Sequence, residues 1–271
     1  MNLRALLELM RVSNLPTVWS NAWMGWLAGL SIVSASGEGD GSPWVKSAVF
    51  VFGVGAWLSL AMSMVYTGGM VMNDYVDRAV DAKERPGRPI PSGRVRAGSA
   101  RSLALVLLAG GFALTVVLGR WWCTPSLLVI CPTSMIAGAL VLTVVLYNML
   151  HQRHWLTVLL MGGCRGWVVL ACASVALGEV MFPFSPKTWR WVVIPALVLL
   201  LYTLAISLVA RREVDPERGG FGGPKTVMNM IAAMPLLDAL WLVAMGLWPA
   251  SLVCVACAVL TKLGHRRIAG S

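Results

Sequence analysis

Charged side chains are scarce in this chain of 271 residues. Aspartate, glutamate, lysine and arginine make up only 13% of it, whereas hydrophobic residues make up 58%. Soluble globular domains usually carry about 25% charged residues, so the composition excludes an ordinary water-soluble fold. It also excludes a nucleic-acid partner, because the formal net charge of +10 has no soluble basic face on which to gather.

Histidine and cysteine are also few, with three and six residues. Only Cys254 and Cys257 have a helical i, i+3 spacing, and no second pair accompanies them, whereas a zinc site needs four converging ligands. His151 and His154 have no carboxylate near them in the sequence. A metal site built on these residues is therefore not expected, and the cysteines are interpreted as small apolar residues of the interior.

Long apolar runs are what the chain does contain. Runs of about 20 residues recur along its whole length, and each can cross about 30 Å of hydrocarbon. Because backbone polar groups in lipid must be bonded within their own segment, each run is predicted to be a helix. The prediction is an all-α integral membrane protein, a single domain over residues 1–271, with a bundle of eight or nine transmembrane helices. The predicted spans are Asn14–Ala35, Trp44–Met72, Gly98–Gly119, Pro125–Tyr147, Trp155–Gly178, Trp189–Val209, Val227–Leu247 and Pro249–Leu263.

Lysine and arginine are divided unevenly among the predicted loops. Seventeen lie in or next to the second, fourth and sixth loops and the termini, and four lie in the first, third and fifth loops. Basic loops stay on the cytoplasmic side, so both termini are predicted to be cytoplasmic in a cell inner (plasma) membrane. The first span is also predicted to be retained, because Asn14, Pro16 and Asn21 are unusual in the core of a cleaved signal.

Acidic residues cluster at the end of the second apolar run, in "GGMVMNDYVDRAVDAKERPGRPIPSGRV". If that span continues as a helix through Asp81, its positions turn by 100° per residue, and Asn73, Asp74, Asp77 and Asp81 share one stripe. Close carboxylates repel one another unless a cation lies between them, and oxygen ligands suit Mg²⁺, which often binds together with substrate phosphates. Nearby basic residues could bind phosphate oxygens. They include Lys83, Arg85 and Arg88.

The segment "NDYVDRAVD" matches the N-D-x-x-D-x-x-x-D motif of the UbiA superfamily of intramembrane prenyltransferases, and the chain resembles that superfamily over nearly its whole length. The segments "RPGRPIPSGR" and "MRVSNLPTVWSNAWMGWLAG" resemble its first cytoplasmic loop and its opening helix, the latter with Asn21 among its polar residues. The resemblance implies a helical bundle around a central cavity open toward the cytoplasmic face. It also implies Mg²⁺ at Asn73, Asp74, Asp77 and Asp81, an isoprenoid diphosphate donor and a small acceptor.

The predicted function is a Mg²⁺-dependent prenyl transfer to a small aromatic or cyclic polar acceptor. In the mechanism that the resemblance implies, Mg²⁺ joins Asp77 and Asp81 to the donor, and basic side chains such as Arg88 stabilise the departing diphosphate. The apolar bundle keeps water from the prenyl cation. The alternatives are a terpene cyclase of the same superfamily and an ion-coupled transporter. A CDP-alcohol phosphotransferase is excluded, because Arg78 stands where that motif has glycine.

The second acidic motif of the superfamily is altered in this chain. In "YTLAISLVARREVDPERGGFGGPKT", Ala210 stands where an aspartate is common, and Arg211, Arg212 and Glu213 follow it. Either Glu213, with Asp215 as a further candidate ligand, binds a second Mg²⁺, or Arg211 or Arg212 supplies the positive charge toward the diphosphate. The third alternative is a solvated loop without a catalytic part. The segments "GCRG", "RREV" and "PKTVMNM" resemble a bacterial branch that accompanies the ebo gene cluster, which favours an acceptor other than a quinone precursor.

Further candidates lie in the fourth loop and inside two spans. "YNMLHQRHW" places His151 where many relatives carry lysine, and Tyr147 and Arg153 flank it as candidates for substrate binding. A histidine is only partly charged at cytoplasmic pH, so Arg153 is an alternative cation. Arg165 and Asp238 lie within spans, where a charge is costly unless it faces a cavity or a partner. Arg165 is predicted to contact diphosphate or acceptor, with a structural pair to Asp238 as the alternative. Asp238 is a catalytic candidate that could orient an acceptor hydroxyl, act as a base or pair with Arg165.

Overall fold

The computed structural model describes residues 3–36, 47–123, 131–151, 157–178, 185–213 and 224–267, apart from the side chains at 36, 122, 123, 211–213, 224, 225 and 267. Helices dominate this part of the chain. They are α1 (Leu3–Leu9), α2 (Leu15–Ser36), α3 (Ala48–Glu84), α4 (Ala97–Cys123), α5 (Pro132–Leu150), α6 (Thr157–Leu177), α7 (Pro186–Thr188), α8 (Ile194–Glu213), α9 (Pro224–Ala244) and α10 (Trp248–Arg267). A 3₁₀ turn at Val12–Asn14 precedes α2, and a π-helical stretch at Trp189–Val193 joins α7 to α8.

Seven helical segments are long and apolar enough to cross a membrane. They are formed by α3, α4, α5, α6, the continuous α7–α8 segment, α9 and α10. The chain is therefore a multi-pass membrane protein, and the predicted all-α bundle is confirmed. The orientation of the termini and the count of eight or nine spans stay predictions.

The first predicted span, Asn14–Ala35, coincides with α2, which differs from the other long helices. Among the described helices, α2 is the long helix that does not belong to the seven candidate membrane spans. Most of its side chains are buried, including Trp23, Met24 and Trp26, and it contacts α3, α6, α9 and α10. Its less apolar composition follows from this position, because its side chains face other helices rather than lipid.

Small residues allow α2 and α6 to approach each other closely. A Cβ atom built on Gly29 would lie 2.7 Å from the carbonyl oxygen of Ala173, so only glycine fits there without a shift of the backbone. Eight residues earlier on both helices, Asn21 faces Arg165 in the same register. The close packing of α2 on α6 therefore sets the distance between these two polar side chains.

The helix α3 carries the acidic stripe beyond the apolar part of the bundle. It contains 37 residues, or about 55 Å at 1.5 Å per residue, which exceeds the roughly 30 Å of a hydrocarbon core. The predicted span ended at Met72, and the helix continues from there through Asp81 to Glu84. The continuation that the stripe required is thus confirmed.

The segment 85–96 between α3 and α4 folds back over the end of α3. Its turns are held by backbone bonds such as Val95 N–H to Pro89 O at 2.9 Å. Arg94 donates two hydrogen bonds to Glu8 of α1, at 2.9 and 3.2 Å, and the hydrogen bond with Glu8 raises the pKa of Arg94. This arrangement brings the buried side chain of Arg88 against the acidic face of α3.

Candidate functional site

The bundle contains a cavity of about 210 Å³ between α2, α3, α5, α6, α8 and α9. Its wall is mainly apolar, with Met62, Val65 and Leu140 among its lining side chains. Polar groups line the part next to the acidic stripe. They are Arg11, Asn14, Asn73, Tyr147 and Asn148. A cavity of this kind suits a ligand with a charged head and an apolar tail.

Asp77 lies about one helical turn beyond Asn73, which lines the cavity, and it contacts His151 at the end of α5. The Nε2 atom of His151 is 2.9 Å from one carboxylate oxygen of Asp77 and 3.1 Å from the other. The amide of Asn73 lies 3.5 Å from the same ring nitrogen, and the ring of Tyr147 stacks on His151 with centroids 5.3 Å apart. Four residues predicted from two distant segments therefore meet in one place.

Asp74 and Asp81 form a second group with arginines. Arg88 Nη1 lies 2.8 Å from Asp81 and 3.5 Å from Asp74, and Arg11 lies 3.4 Å from Asp74. The side chains of Arg88, Asp74 and Asp81 are each no more than 8% exposed, and within the described residues the Nε atom of Arg88 has no hydrogen-bond partner. Asp74 and Asp81 are thus paired with basic side chains.

Arg11 was not among the predicted site residues, although it lies in the segment that resembles the opening helix. Its φ angle of 47° makes it the sole non-glycine residue with a positive φ in the described part of the chain. Such a conformation costs roughly 1–3 kcal/mol and is kept where the surroundings impose it. Here it lets Arg11 line the cavity and contact Asp74. Backbone strain of this kind leaves no signal in the sequence.

The charged residues within spans are joined through an amide. Arg165 donates to Asn21 Oδ1 at 3.2 Å and to Thr17 Oγ1 at 2.9 Å. The Nδ2 group of Asn21 in turn donates to Asp238 Oδ2 at 2.7 Å. Asn21 and Asp238 are buried, whereas Arg165 lines the cavity above the ring of Tyr66, 5.6 Å from its centroid. The predicted alternative of an Arg165–Asp238 pair therefore takes an indirect form, with Asn21 between the two charges.

Two of the remaining predicted residues stand apart from these groups. Lys83 and Arg85 are exposed at the end of α3. Arg153 lies outside the described residues, and so do the side chains at the altered second motif. These last are Arg211, Arg212 and Glu213.

The oxygen atoms of the acidic stripe are of the type that binds Mg²⁺, although the described residues form no ready metal site. In the described ranges, no three histidine, cysteine, aspartate or glutamate side chains converge as a metal site. Mg²⁺ commonly binds through one or two carboxylates together with substrate phosphates and water. Asp77 and the neighbouring amide of Asn73 supply such hard oxygen atoms beside the cavity.

Known proteins resemble this chain in sequence. The digeranylgeranylglyceryl phosphate synthase of Hyperthermus butylicus is 30% identical over 214 residues, which are 78% of this chain and 60% of that protein. The 4-hydroxybenzoate octaprenyltransferase of Aliivibrio fischeri is 26% identical over 205 residues, 74% of this chain and 60% of that protein. The chain thus spans about 60% of the length of these two relatives.

Solved structures resemble the chain in fold. The apo structure of a UbiA homolog from Aeropyrum pernix K1 has a TM-score of 0.55 at 16% identity, and the match covers 92% of this chain and 96% of that one. The sequence pattern of the UbiA prenyltransferase family matches residues 22–270, which include the acidic stripe, Arg165 and Asp238. The chain belongs to the UbiA prenyltransferase family.

Proposed function

We propose that this protein is a Mg²⁺-dependent membrane prenyltransferase that ionises an isoprenoid diphosphate and transfers the prenyl group to a small aromatic or cyclic polar acceptor. The observation that carries the proposal is the contact of Asp77 and His151 with each other and with Asn73, which lines a mainly apolar cavity. Two relatives support the reaction class by name, as an octaprenyltransferase and a digeranylgeranylglyceryl phosphate synthase.

The donor diphosphate would bind at the acidic end of α3. Asp77 and Asn73 would hold Mg²⁺, with Asp81 as a further ligand once Arg88 turns toward phosphate oxygens. Asp74 would keep Arg11 and Arg88 in place, at its present separations of 3.4 and 3.5 Å. When bound, Mg²⁺ would supply positive charge to the diphosphate as a Lewis acid.

The protein's own residues would stabilise charge and exclude water. As the carbon–oxygen bond breaks, its electron pair stays on the diphosphate oxygen. The negative charge that develops there would be stabilised by Arg11, Arg88 and His151. The apolar wall, including Met62 and Val65, would hold the prenyl chain and keep water from the allylic cation. An acceptor atom would then supply the electron pair of the new bond and lose its proton.

The altered second motif leaves two arrangements to be tested. If Glu213 binds a second Mg²⁺, Glu213→Gln raises the Mg²⁺ concentration needed for half-maximal turnover, while Glu213→Asp keeps part of the activity. If an arginine replaces that ion, Arg211→Ala or Arg212→Ala causes the loss instead. Each lost contact to diphosphate is expected to weaken binding roughly ten- to a hundred-fold.

The proposal is tested by diphosphate release from geranylgeranyl diphosphate with the purified full-length protein. Asp77→Asn is expected to lower the rate at least about tenfold, equivalent to about 1.4 kcal/mol of barrier. Glu84→Gln is the matched control, because Glu84 lies on the same helix with an exposed side chain. The proposal would be refuted if no diphosphate is released either by the purified wild-type protein or by membranes that contain it. If a cyclic hydrocarbon forms in the absence of an acceptor, the protein is a terpene cyclase rather than a prenyltransferase.

A further inference from the structure

The end of α10 packs against the 3₁₀ turn that precedes α2. A Cβ atom built on Gly264 would lie 3.3 Å from the Cα and Cβ atoms of Ser13, so a large side chain at position 264 would displace the turn. Next to Gly264, the Nε2 atom of His265 lies 2.6 Å from Oδ1 of Asn14. Because an amide oxygen only accepts hydrogen bonds, His265 is the donor. Two adjacent residues of α10 therefore hold two adjacent residues of the turn.

The turn that α10 holds is preceded by Arg11, which has a left-handed backbone with a φ angle of 47°. The N–H group of Arg11 donates to Glu8 O at 3.1 Å, and the N–H group of Asn14 donates to Arg11 O at 3.1 Å. A conformation of this kind is kept only where the surroundings impose it. Displacement of Asn14 would remove one of these constraints, and the backbone of Arg11 would relax to a conformation of lower energy. The side chain of Arg11 would then change its direction.

Arg11 connects the turn to the acidic stripe. Its guanidinium lies 3.4 Å from Asp74, which also contacts Arg88 at 3.5 Å. In the described part of the chain, the cavity wall includes Arg11 and Asn14 but not His265. A series of contacts thus runs from His265 through Asn14 to Arg11, and His265 acts on a bound ligand through these two residues.

We propose that His265 is a positioning residue for the donor site. Its hydrogen bond to Asn14 fixes the 3₁₀ turn, and the fixed turn directs the guanidinium of Arg11 toward the donor diphosphate. The inference rests on the proposed prenyl transfer, in which Arg11 stabilises charge on the diphosphate. Arginine binds phosphate oxygens through a planar fork of N–H groups, so the strength of this contact depends on the direction of the side chain.

The first test measures binding of geranylgeranyl thiolodiphosphate, an unreactive donor analogue, together with Mg²⁺ to the purified full-length protein. His265→Leu removes the hydrogen-bond donor and should weaken binding about three- to tenfold. His265→Gln should keep most of the affinity, because its amide group can still donate to Asn14. Leu263→Ala is the matched control and should equal wild type, since Leu263 is exposed on the same turn of α10. Equal affinity in His265→Leu and wild type overturns the proposal.

A thermodynamic cycle with Arg11 tests whether His265 acts through that side chain. Arg11→Ala alone should weaken binding of the donor analogue about tenfold or more. In the Arg11→Ala background, His265→Leu should change the affinity less than about twofold, because the group that the turn directs is absent. A general loss of packing at the end of α10 would instead weaken binding by the same factor in both backgrounds. That result, or full affinity in Arg11→Ala, overturns the proposal.

Backbone hydrogen exchange in the absence of donor separates this inference from the proposed function. His265→Leu should increase exchange of the amides at residues 11–15, since exchange reports local opening, whereas His265→Gln and Leu263→Ala should match wild type. If the wild type does not bind the donor analogue but His265→Leu raises this exchange, the proposed function fails while the constraint on the turn stands. Unchanged exchange in His265→Leu overturns the positioning role, whether or not the donor analogue binds.

Discussion

The two groups of carboxylates on α3 should respond differently to truncation, although both serve one site. Asp81→Ala leaves Arg88 buried with Asp74 as its remaining partner, at 3.5 Å. Removal of one partner from a buried ion pair costs about 3–5 kcal/mol. The side chains of Asp77 and His151 are each 17% exposed, and loss of this more hydrated contact should cost about 1 kcal/mol.

The assay is thermal unfolding of both variants in the same detergent, beside the rate of diphosphate release. At roughly 2–4 °C per kcal/mol for a chain of this size, Asp81→Ala should unfold about 10 °C below wild type and Asp77→Ala about 3 °C below. Both should lose turnover. Asp81→Asn, which still offers an oxygen to Arg88, is the matched control and should recover most of the stability. Equal shifts for Asp77→Ala and Asp81→Ala would refute the division into a buried and a more hydrated group.

Three further predictions concern packing, topology and metal. Gly29→Leu should prevent close contact of α2 with α6, because a Cβ atom at Gly29 would already lie 2.7 Å from Ala173 O. This variant should lower the yield of folded protein. Gly53→Leu should not, because the space next to Gly53 is open. A topology reporter fused after Ser271 should be located in the cytoplasm, and one inserted at Gly39 should be located on the opposite side of the membrane. Location of both reporters on the same side would contradict the predicted topology. Treatment with EDTA should stop diphosphate release and added Mg²⁺ should restore it, while release in excess EDTA would exclude the metal.

The apolar spans and the acidic stripe could be predicted because each is encoded locally. Runs of apolar residues define membrane helices, and the 100° rotation per residue is enough to place Asn73 and Asp77 on one face. The sequence did not indicate that Asp74 and Asp81 are bound to Arg88, whereas Asp77 meets His151. That division depends on how the segment after α3 and the end of α5 fold against α3.

The role of α2 shows a second limit of local reasoning. Its length predicted a span like the others, yet Trp26 and Asn21 are buried among other helices. The link from Arg165 through Asn21 to Asp238 joins residues up to 217 positions apart, and only the packing of α2 against α6 and α9 brings them together. The role of the altered motif around Glu213, and the resemblance to the ebo-associated branch, stay predictions.

The central claim is that α3 holds the donor diphosphate together with Mg²⁺. Its most direct test is the equilibrium binding of geranylgeranyl thiolodiphosphate across a Mg²⁺ titration, in wild type, Asp77→Asn and Glu84→Gln. We expect binding to require Mg²⁺, Asp77→Asn to weaken it at least about tenfold (about 1.4 kcal/mol), and Glu84→Gln to match wild type. Binding that is independent of Mg²⁺, or equal in Asp77→Asn and wild type, would contradict the proposed donor site.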